Sequence, residues 1–347
     1  MDITIQPGKL SGSIQIIPSK SQAHRFLICA ALSDSPTSIF CPETNRDMDA
    51  TAECLNALGA SIQKYDWGYS VVPIKTIPHS ALLPCHDSGS TLRFMLPVAG
   101  ALGVDSTFSL EGRLPQRPLS PLWEEMQRMG CCLTRPADST IRCQGKLQPG
   151  NYSIDGGVSS QFITGLMLAL PLLDGTSKIT VTGRLESKPY VDLTRDAMRA
   201  FGISIPETDF SGVGFYHSPG EISVEGDWSN GAFFLAAAAL GNPVIVEGLN
   251  PMSVQGDRAV EHLLPGLKDY SVISAADIPD LVSILSLVAA FHHGAVFTDI
   301  RRLRLKESDR VATVMNLLRY LGGDAYADEK KLQTIRNNPD MEIVYTG

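Results

Sequence analysis

Pro18-Ser19-Lys20-Ser21-Gln22-Ala23-His24-Arg25 is a polar turn caught between a strand and a helix. The run before it, Ser13-Ile14-Gln15-Ile16-Ile17, is rich in the branched apolar residues of a strand. The run after it, Phe26 to Leu32, is apolar and helical, and a second strand begins near Ser38-Ile39-Phe40. The turn therefore sits at a helix N-terminus, where unpaired N–H groups and the positive dipole end favour an anion. Lys20 and Arg25 stand where cations are disfavoured by roughly 0.3–1 kcal/mol. A phosphate or carboxylate guest reverses that sign.

The design recurs down the chain. Later copies of the turn are Asp87-Ser88-Gly89-Ser90, Gly156 to Ser160, Gly226-Asp227-Trp228-Ser229 and Asp277-Ile278-Pro279-Asp280, each between a strand and an apolar helix. Taking Lys20, Ser88, Ser159, Ser229 and Asp280 as markers, the spacings are 68, 71, 70 and 51 residues. The fifth copy thus follows a shortened unit. Each unit also has a second, amphipathic helix, predicted at Asp47–Leu58, Leu119–Met129, Val191–Phe201 and Asp309–Leu321. Gly59, Gly130, Gly202 and Gly322 close these helices, as left-handed caps require. Short strands such as Ala60-Ser61-Ile62 and Ile203-Ser204-Ile205 follow. Helices alternating with short strands predict an α/β protein whose helices pack inside or against small sheets. If two domains each hold three units, five of six are visible, and the sixth is expected just beyond Gly347.

Composition narrows the function. With 347 residues, about two domains are expected; 44% hydrophobic and 19% charged residues are ordinary for a globular protein. A net charge of −8 argues against a nucleic-acid or membrane-surface partner, so a basic site must be a local pocket. Seven cysteines with no CxxC spacing read as reduced thiols of a cytoplasmic protein. The start, Met1-Asp2-Ile3-Thr4-Ile5, carries no signal-peptide pattern, and no apolar run is long enough to span a bilayer. No HxxxH or HExxH pair suggests a metal, and no glycine-rich nucleotide loop is present.

Polar density exceeds what capping needs. Beside Lys20, Ser21 and Arg25 stand Gly89, Ser90 and Arg93, then Arg113-Leu114-Pro115-Gln116-Arg117-Pro118, Ser159-Ser160-Gln161 and Ser187-Lys188-Pro189-Tyr190. The fifth unit adds Asp280 and the run Arg301 to Arg310. Asp87 and Ser229 read equally as plain N-caps, and Arg301–Arg310 reads equally as a solvated helix entry.

These motifs fall in the order of one family. Pro18-Ser19-Lys20-Ser21-x-x-x-Arg25, Ser88-Gly89-Ser90-Thr91-x-Arg93, Leu114-Pro115-x-Arg117-Pro118-Leu119 and Val158-Ser159-Ser160-Gln161-Phe162 belong to the series. So do Ser187-Lys188-Pro189-Tyr190, Glu225-Gly226-Asp227-x-Ser229, Ile278-Pro279-Asp280 and Lys306-Glu307-Ser308-Asp309-Arg310. Over nearly its whole length the chain resembles the 3-phosphoshikimate 1-carboxyvinyltransferase (EPSP synthase) family of enolpyruvyl transferases. The resemblance implies two domains of βαβαββ units: a discontinuous one, residues 1–18 with 227–347, on the phosphoenolpyruvate side, and a continuous one, 19–226, on the shikimate 3-phosphate side. It implies transfer of the enolpyruvyl group of phosphoenolpyruvate to the 5-hydroxyl of shikimate 3-phosphate, by a cytoplasmic monomer without metal or organic cofactor.

Roles follow from the same resemblance. Lys20, Asp280, Lys306 and Glu307 are implied as catalytic. Shikimate 3-phosphate is implied to meet Lys20, Ser21, Arg25, Ser159, Ser160, Gln161, Ser187, Tyr190, Asp280 and Lys306, and phosphoenolpyruvate Lys20, Gly89, Arg117, Gln161 and Arg310. Asp87 and Arg302 stand where many members carry Asn, and a later Asp-His-Arg motif and a Lys near the C-terminus have no counterpart. Two rival readings stay open. One is the sister transferase acting on UDP-N-acetylglucosamine, whose members carry a reactive Cys in the loop that is here Gly112 to Arg117 and has none. The other is a non-catalytic remnant that binds shikimate phosphate.

Overall fold

The first helix of four of the five repeats starts where its turn supplies a side-chain cap. In the computed structural model, which describes residues 8–206, 214–306 and 308–335, the Ser19 hydroxyl accepts from the Gln22 N–H and opens helix Lys20–Ala31. Ser88 opens helix Gly89–Leu102 and Ser159 opens Ser160–Ala169 in the same way. Asp227, rather than Ser229, caps helix Trp228–Ala239. In the fifth repeat Leu281 takes the cap position of helix Val282–Phe291, and the Asp280 carboxylate turns elsewhere. The first three helices are buried on nearly all sides, and in the first this burial takes in the polar Gln22, His24 and Arg25.

The second helices are amphipathic and lie over the first. Helix Arg46–Ala57 closes at Gly59, and all four predicted cap glycines take positive φ, between 81° and 106°. Two boundaries differ from expectation. Helix Leu122–Arg128 begins three residues after Leu119, because Pro121 disfavours helical backbone at the residue before it. Helix Lys188–Ala200 begins three residues before Val191, with Pro189 in the first turn, where its missing N–H costs nothing. Ile203-Ser204-Ile205, expected as a strand, forms no strand of a sheet among the described residues.

The second repeat shows the unit complete. Strand Ser80–His86 pairs in parallel with Asp105–Leu110, and the hairpin Cys131–Ala137/Thr140–Gly145 adds antiparallel to the latter. The fifth repeat has the same order, Ser271–Ser274, Ala295–Thr298, Lys331–Ile335 and Asp324–Ala327. The fourth repeat ends after its second helix, Val260–Gly266, and no hairpin precedes Ser271. Loss of that hairpin accounts for the short spacing.

Repeats one and four exchange their leading strands. Gly12–Gln15 leads the first repeat but pairs in parallel with Val244–Glu247 of the fourth. Glu221–Ser223 leads the fourth but pairs with Thr37–Phe40 of the first, completing the four-stranded sheet with Gly68–Val72 and Ser61–Tyr65. The chain accordingly divides into two compact units, Met1–Ile17 with Gly226–Gly347, and Pro18–Glu225. Backbone bonds hold the crossings, Ser19 N–H to the Glu225 carbonyl (2.8 Å) in one unit and Asp227 N–H to the Ile17 carbonyl (2.9 Å) in the other. Each unit has its own buried core, one around Phe26, Phe94, Phe162 and Phe201, the other around Leu285, Phe297 and Val311.

Candidate active site

In the continuous unit the polar turns are joined through their side chains. Gln161, one residue into its helix, donates from Nε2 to the Ser90 hydroxyl (2.9 Å) and accepts at Oε1 from Arg93 Nη1 (3.1 Å). Arg93 also donates to the Pro118 carbonyl (3.2 Å), and its guanidinium lies over the Phe162 ring at 5.7 Å. Gly89 lies directly against this group: a Cβ there would fall 2.6 Å from Arg93 Nη1 and 2.9 Å from Arg117 Cζ. A Cβ this close would force a guanidinium to move, so glycine is what leaves both in the places they occupy. Gly89, Arg117 and Gln161 of the expected phosphoenolpyruvate set are thus brought together. Sequence reasoning left Arg93 and Ser90 out of that set, although both stand in the same motif.

Arg25 is turned inward. It is 2% exposed and donates from Nε to Thr194 (2.9 Å) and from Nη2 to the Tyr190 carbonyl (2.9 Å), and from Nη1 to the Ser21 carbonyl. Phe94 packs against its guanidinium at 5.2 Å, and burial pulls its pKa down to about 10. Arg25 therefore joins the two expected shikimate-phosphate residues Ser21 and Tyr190 by their backbones. Ser187 is buried in left-handed backbone (φ 55°), a strained conformation typical of ligand-holding turns. Ser159 caps its helix, and Ser160 beside it is buried.

Lys20 forms a 2.8 Å ion pair with Asp47, a residue the sequence did not single out. Partial burial pushes the Asp47 carboxyl up, but the charge and hydrogen bond of Lys20 outweigh it and hold Asp47 below its usual range. Beneath this pair runs a buried chain: His24 Nδ1 to the Thr51 hydroxyl (2.7 Å), Thr51 to Thr91 (2.8 Å), and Thr91 to Ser88 (2.8 Å). Burial first, then the charge of Lys20, drives His24 down to about 3, so its imidazole is neutral. Asp87 is exposed and caps nothing, Ser88 having taken that place.

The discontinuous unit gathers charge of the other sign. Asp280 pairs directly with Arg310 and lies 3.8 Å from Lys306. Two of the ten residues in the basic run thus face the Asp280 carboxylate. Arg304 instead serves the surface, donating to Asp309 (3.2 Å) and to the Asp328 carbonyl (3.1 Å). The same unit buries Asp257, a carboxylate missed in the sequence, which accepts from the Ser229 hydroxyl. Burial, then the charge of Asp280, pushes Asp257 up to about 7. Glu307 lies outside the described residues. Among the described residues no three His, Cys, Asp or Glu gather as metal ligands would, and no helix is long and apolar enough to cross a membrane.

Parallel strand pairs backed by capped helices thus carry clustered guanidiniums in one unit and a carboxylate–lysine–arginine group in the other. The solved EPSP synthase of Acinetobacter baumannii shares this fold, with a TM-score of 0.74 at 21% identity over 95% of this chain and 83% of that one. Residues 5–342 match the family model described as EPSP synthase (3-phosphoshikimate 1-carboxyvinyltransferase). Proteins of that name from Clostridium kluyveri and Clostridium beijerinckii are each 36% identical, over 95% of the chain and 83% of the relative. The chain belongs to the EPSP synthase family.

Proposed function

We infer that the protein transfers the enolpyruvyl group of phosphoenolpyruvate to the 5-hydroxyl of shikimate 3-phosphate, releasing phosphate, as a transferase of the shikimate pathway. The observation that carries this is the close approach of Gly89 to Arg93 and Arg117, with Gln161 bound to both Arg93 and Ser90. Two guanidiniums on a glycine backbone suit a small dianion or a carboxylate-phosphate, which planar N–H forks bind in bidentate fashion. Lys20 and Arg310 add charge for phosphoenolpyruvate. Ser21, Arg25, Ser159, Ser160, Ser187 and Tyr190 serve shikimate 3-phosphate, Arg25 mainly by holding the Ser21 and Tyr190 backbones in place.

The chemistry needs one base and one acid. The hydroxyl oxygen of shikimate 3-phosphate bonds to C2 of phosphoenolpyruvate, its proton leaves, and the methylene carbon takes up a proton. The C–O bond to phosphate then breaks, the methyl carbon returns its proton, and the enol ether remains. Asp280, in direct contact with Arg310, orients the hydroxyl and accepts its proton. Lys306 steadies charge on the intermediate, and Glu307 or Lys20 delivers the proton to the methylene. The continuous unit carries the shikimate 3-phosphate residues together with Lys20, Gly89, Arg117 and Gln161 of the phosphoenolpyruvate set, and the discontinuous unit carries Asp280, Lys306 and Arg310. The protein works as a cytoplasmic monomer on small molecules alone, without cofactor, nucleic acid or membrane, in keeping with its net charge of −8.

Phosphate release is the test. It should require both phosphoenolpyruvate and shikimate 3-phosphate; comparable release with UDP-N-acetylglucosamine instead would overturn the assignment.

A further inference from the structure

Two carboxylates are buried among the described residues, and they are treated differently. Glu125 receives Arg128 at 2.9 Å and a backbone N–H from Ser153, and these contacts hold its charge against the cost of burial. Asp257, 3% exposed, receives only the Ser229 hydroxyl on Oδ2, while Oδ1 is buried with no hydrogen-bond partner. Its position is fixed. Gln255, two residues earlier, donates to the Gly226 carbonyl (2.9 Å) and accepts from the Trp228 N–H (3.1 Å), locking this segment onto the first turn of helix Trp228–Ala239.

The charged groups that face Asp257 are Asp280 and Asp227, both negative, and Lys306, positive. Two carboxylates in one poorly solvated region resist double ionisation, and the one with the better cation loses its proton first. Asp280 has Arg310 in direct contact and Lys306 at 3.8 Å. Asp257 has a hydroxyl. We propose that Asp257 is a positioning residue of this site, a buried carboxylic acid that keeps its proton so that Asp280 holds the negative charge gripped by Arg310 and Lys306. The role in catalysis rests on the enolpyruvyl-transfer reading, whereas the placement of the proton does not.

Loss of the Asp257 proton puts a second negative charge beside Lys306 and Asp280. Lys306 is then shared between two carboxylates, and Asp280 is held less firmly as the base. Burial and Asp280 bring this ionisation to about 7, within the working range of an enzyme. In the wild type, kcat/KM should bend downward as pH rises through neutrality. Asp257→Asn, a neutral mimic of the protonated acid, should lose that bend.

The decisive experiment labels the aspartate carboxyl carbons with 13C and titrates the ligand-free 347-residue chain by NMR. One signal, absent from Asp257→Asn, should titrate near neutral pH. Its midpoint should fall in Asp280→Asn, which removes the like charge, and rise in Ser229→Ala, which removes the bond favouring the ionised form. If Asp257→Asn does not fold, the signal is assigned instead by connectivity to the Asp257 backbone resonances. A midpoint in the ordinary carboxylate range, or one indifferent to Asp280→Asn, overturns the proposal whatever the activity. A pH–rate bend that persists in folded Asp257→Asn overturns the catalytic role. Absence of phosphate release in the wild type sinks the enolpyruvyl reading and leaves the NMR result to decide where the proton resides.

Discussion

The continuous unit and the discontinuous unit handle charge in opposite ways. In the continuous unit, Arg25 and Arg93 donate to hydroxyls, carbonyls and an amide, and these bonds fix both guanidiniums in place. In the discontinuous unit, Asp280 is matched by two cations while Asp257 beside it has none in hydrogen-bonding contact. There the charge is adjustable, because one carboxylate is stabilised as an anion and the other as an acid. Binding asks for the first arrangement and proton transfer for the second.

That contrast breaks most visibly at Asp280. Asp280→Asn should cut kcat by about 10²–10⁴-fold while leaving the unfolding transition close to wild type, since general-base contributions are of that size. A folded variant with wild-type kcat would show that the charge balance of this unit is not catalytic. Gly89→Ala tests the fixed charges. Its Cβ must displace Arg93 or Arg117, and a shift of an ångström in a binding clamp can cost about 10²-fold in kcat/KM. The loss should appear as weaker binding of phosphoenolpyruvate in calorimetric titration; unchanged affinity would mean that the two guanidiniums do not grip it.

Arg25 sharpens the distinction between holding a site and being one. Arg25→Lys keeps the charge but cannot reproduce the fork to Thr194, Tyr190 and Ser21. A loss of roughly 1–3 kcal/mol is expected from the buried acceptors left unpaired. Urea unfolding measures it, and a variant as stable as wild type would return Arg25 to a purely ligand-facing role.

The smallest effect lies at His86, next to the Asp87–Ser90 turn. It has positive φ and pairs with Glu53 and Glu111, each at 3.0 Å. Glu53 first, then Glu111, raises its pKa above the ordinary 6.5. The stabilisation is therefore full below about pH 6.5 and is lost as pH rises through the folded-state value. Because the imidazole is partly exposed, it amounts to less than about 1 kcal/mol. The stability gap between wild type and His86→Gln should shrink between mildly acidic and mildly alkaline buffer. A gap that widens with pH would contradict the assigned protonation.

Much of this architecture was written in local chemistry. The five turns, the capping roles of Ser19, Ser88 and Ser159, and the glycines that close the second helices depend on residues within one helical turn of one another. The ordered motifs that place the chain in its family are local too, and they pointed to Gly89, Arg117, Gln161 and Asp280 before any geometry was known. Tertiary structure alone decided the rest. Nothing in Gly12–Gln15 or Glu221–Ser223 says that they trade partners, because a strand's hydrogen-bonding groups are the same whichever neighbour receives them. Asp47 and Asp257 were missed for a related reason: an acidic side chain becomes functional through what surrounds it. Lys20 stands 27 residues from Asp47, and the desolvation that leaves Asp257 a proton exists only once helix Trp228–Ala239 and the Asp280 segment have closed around it.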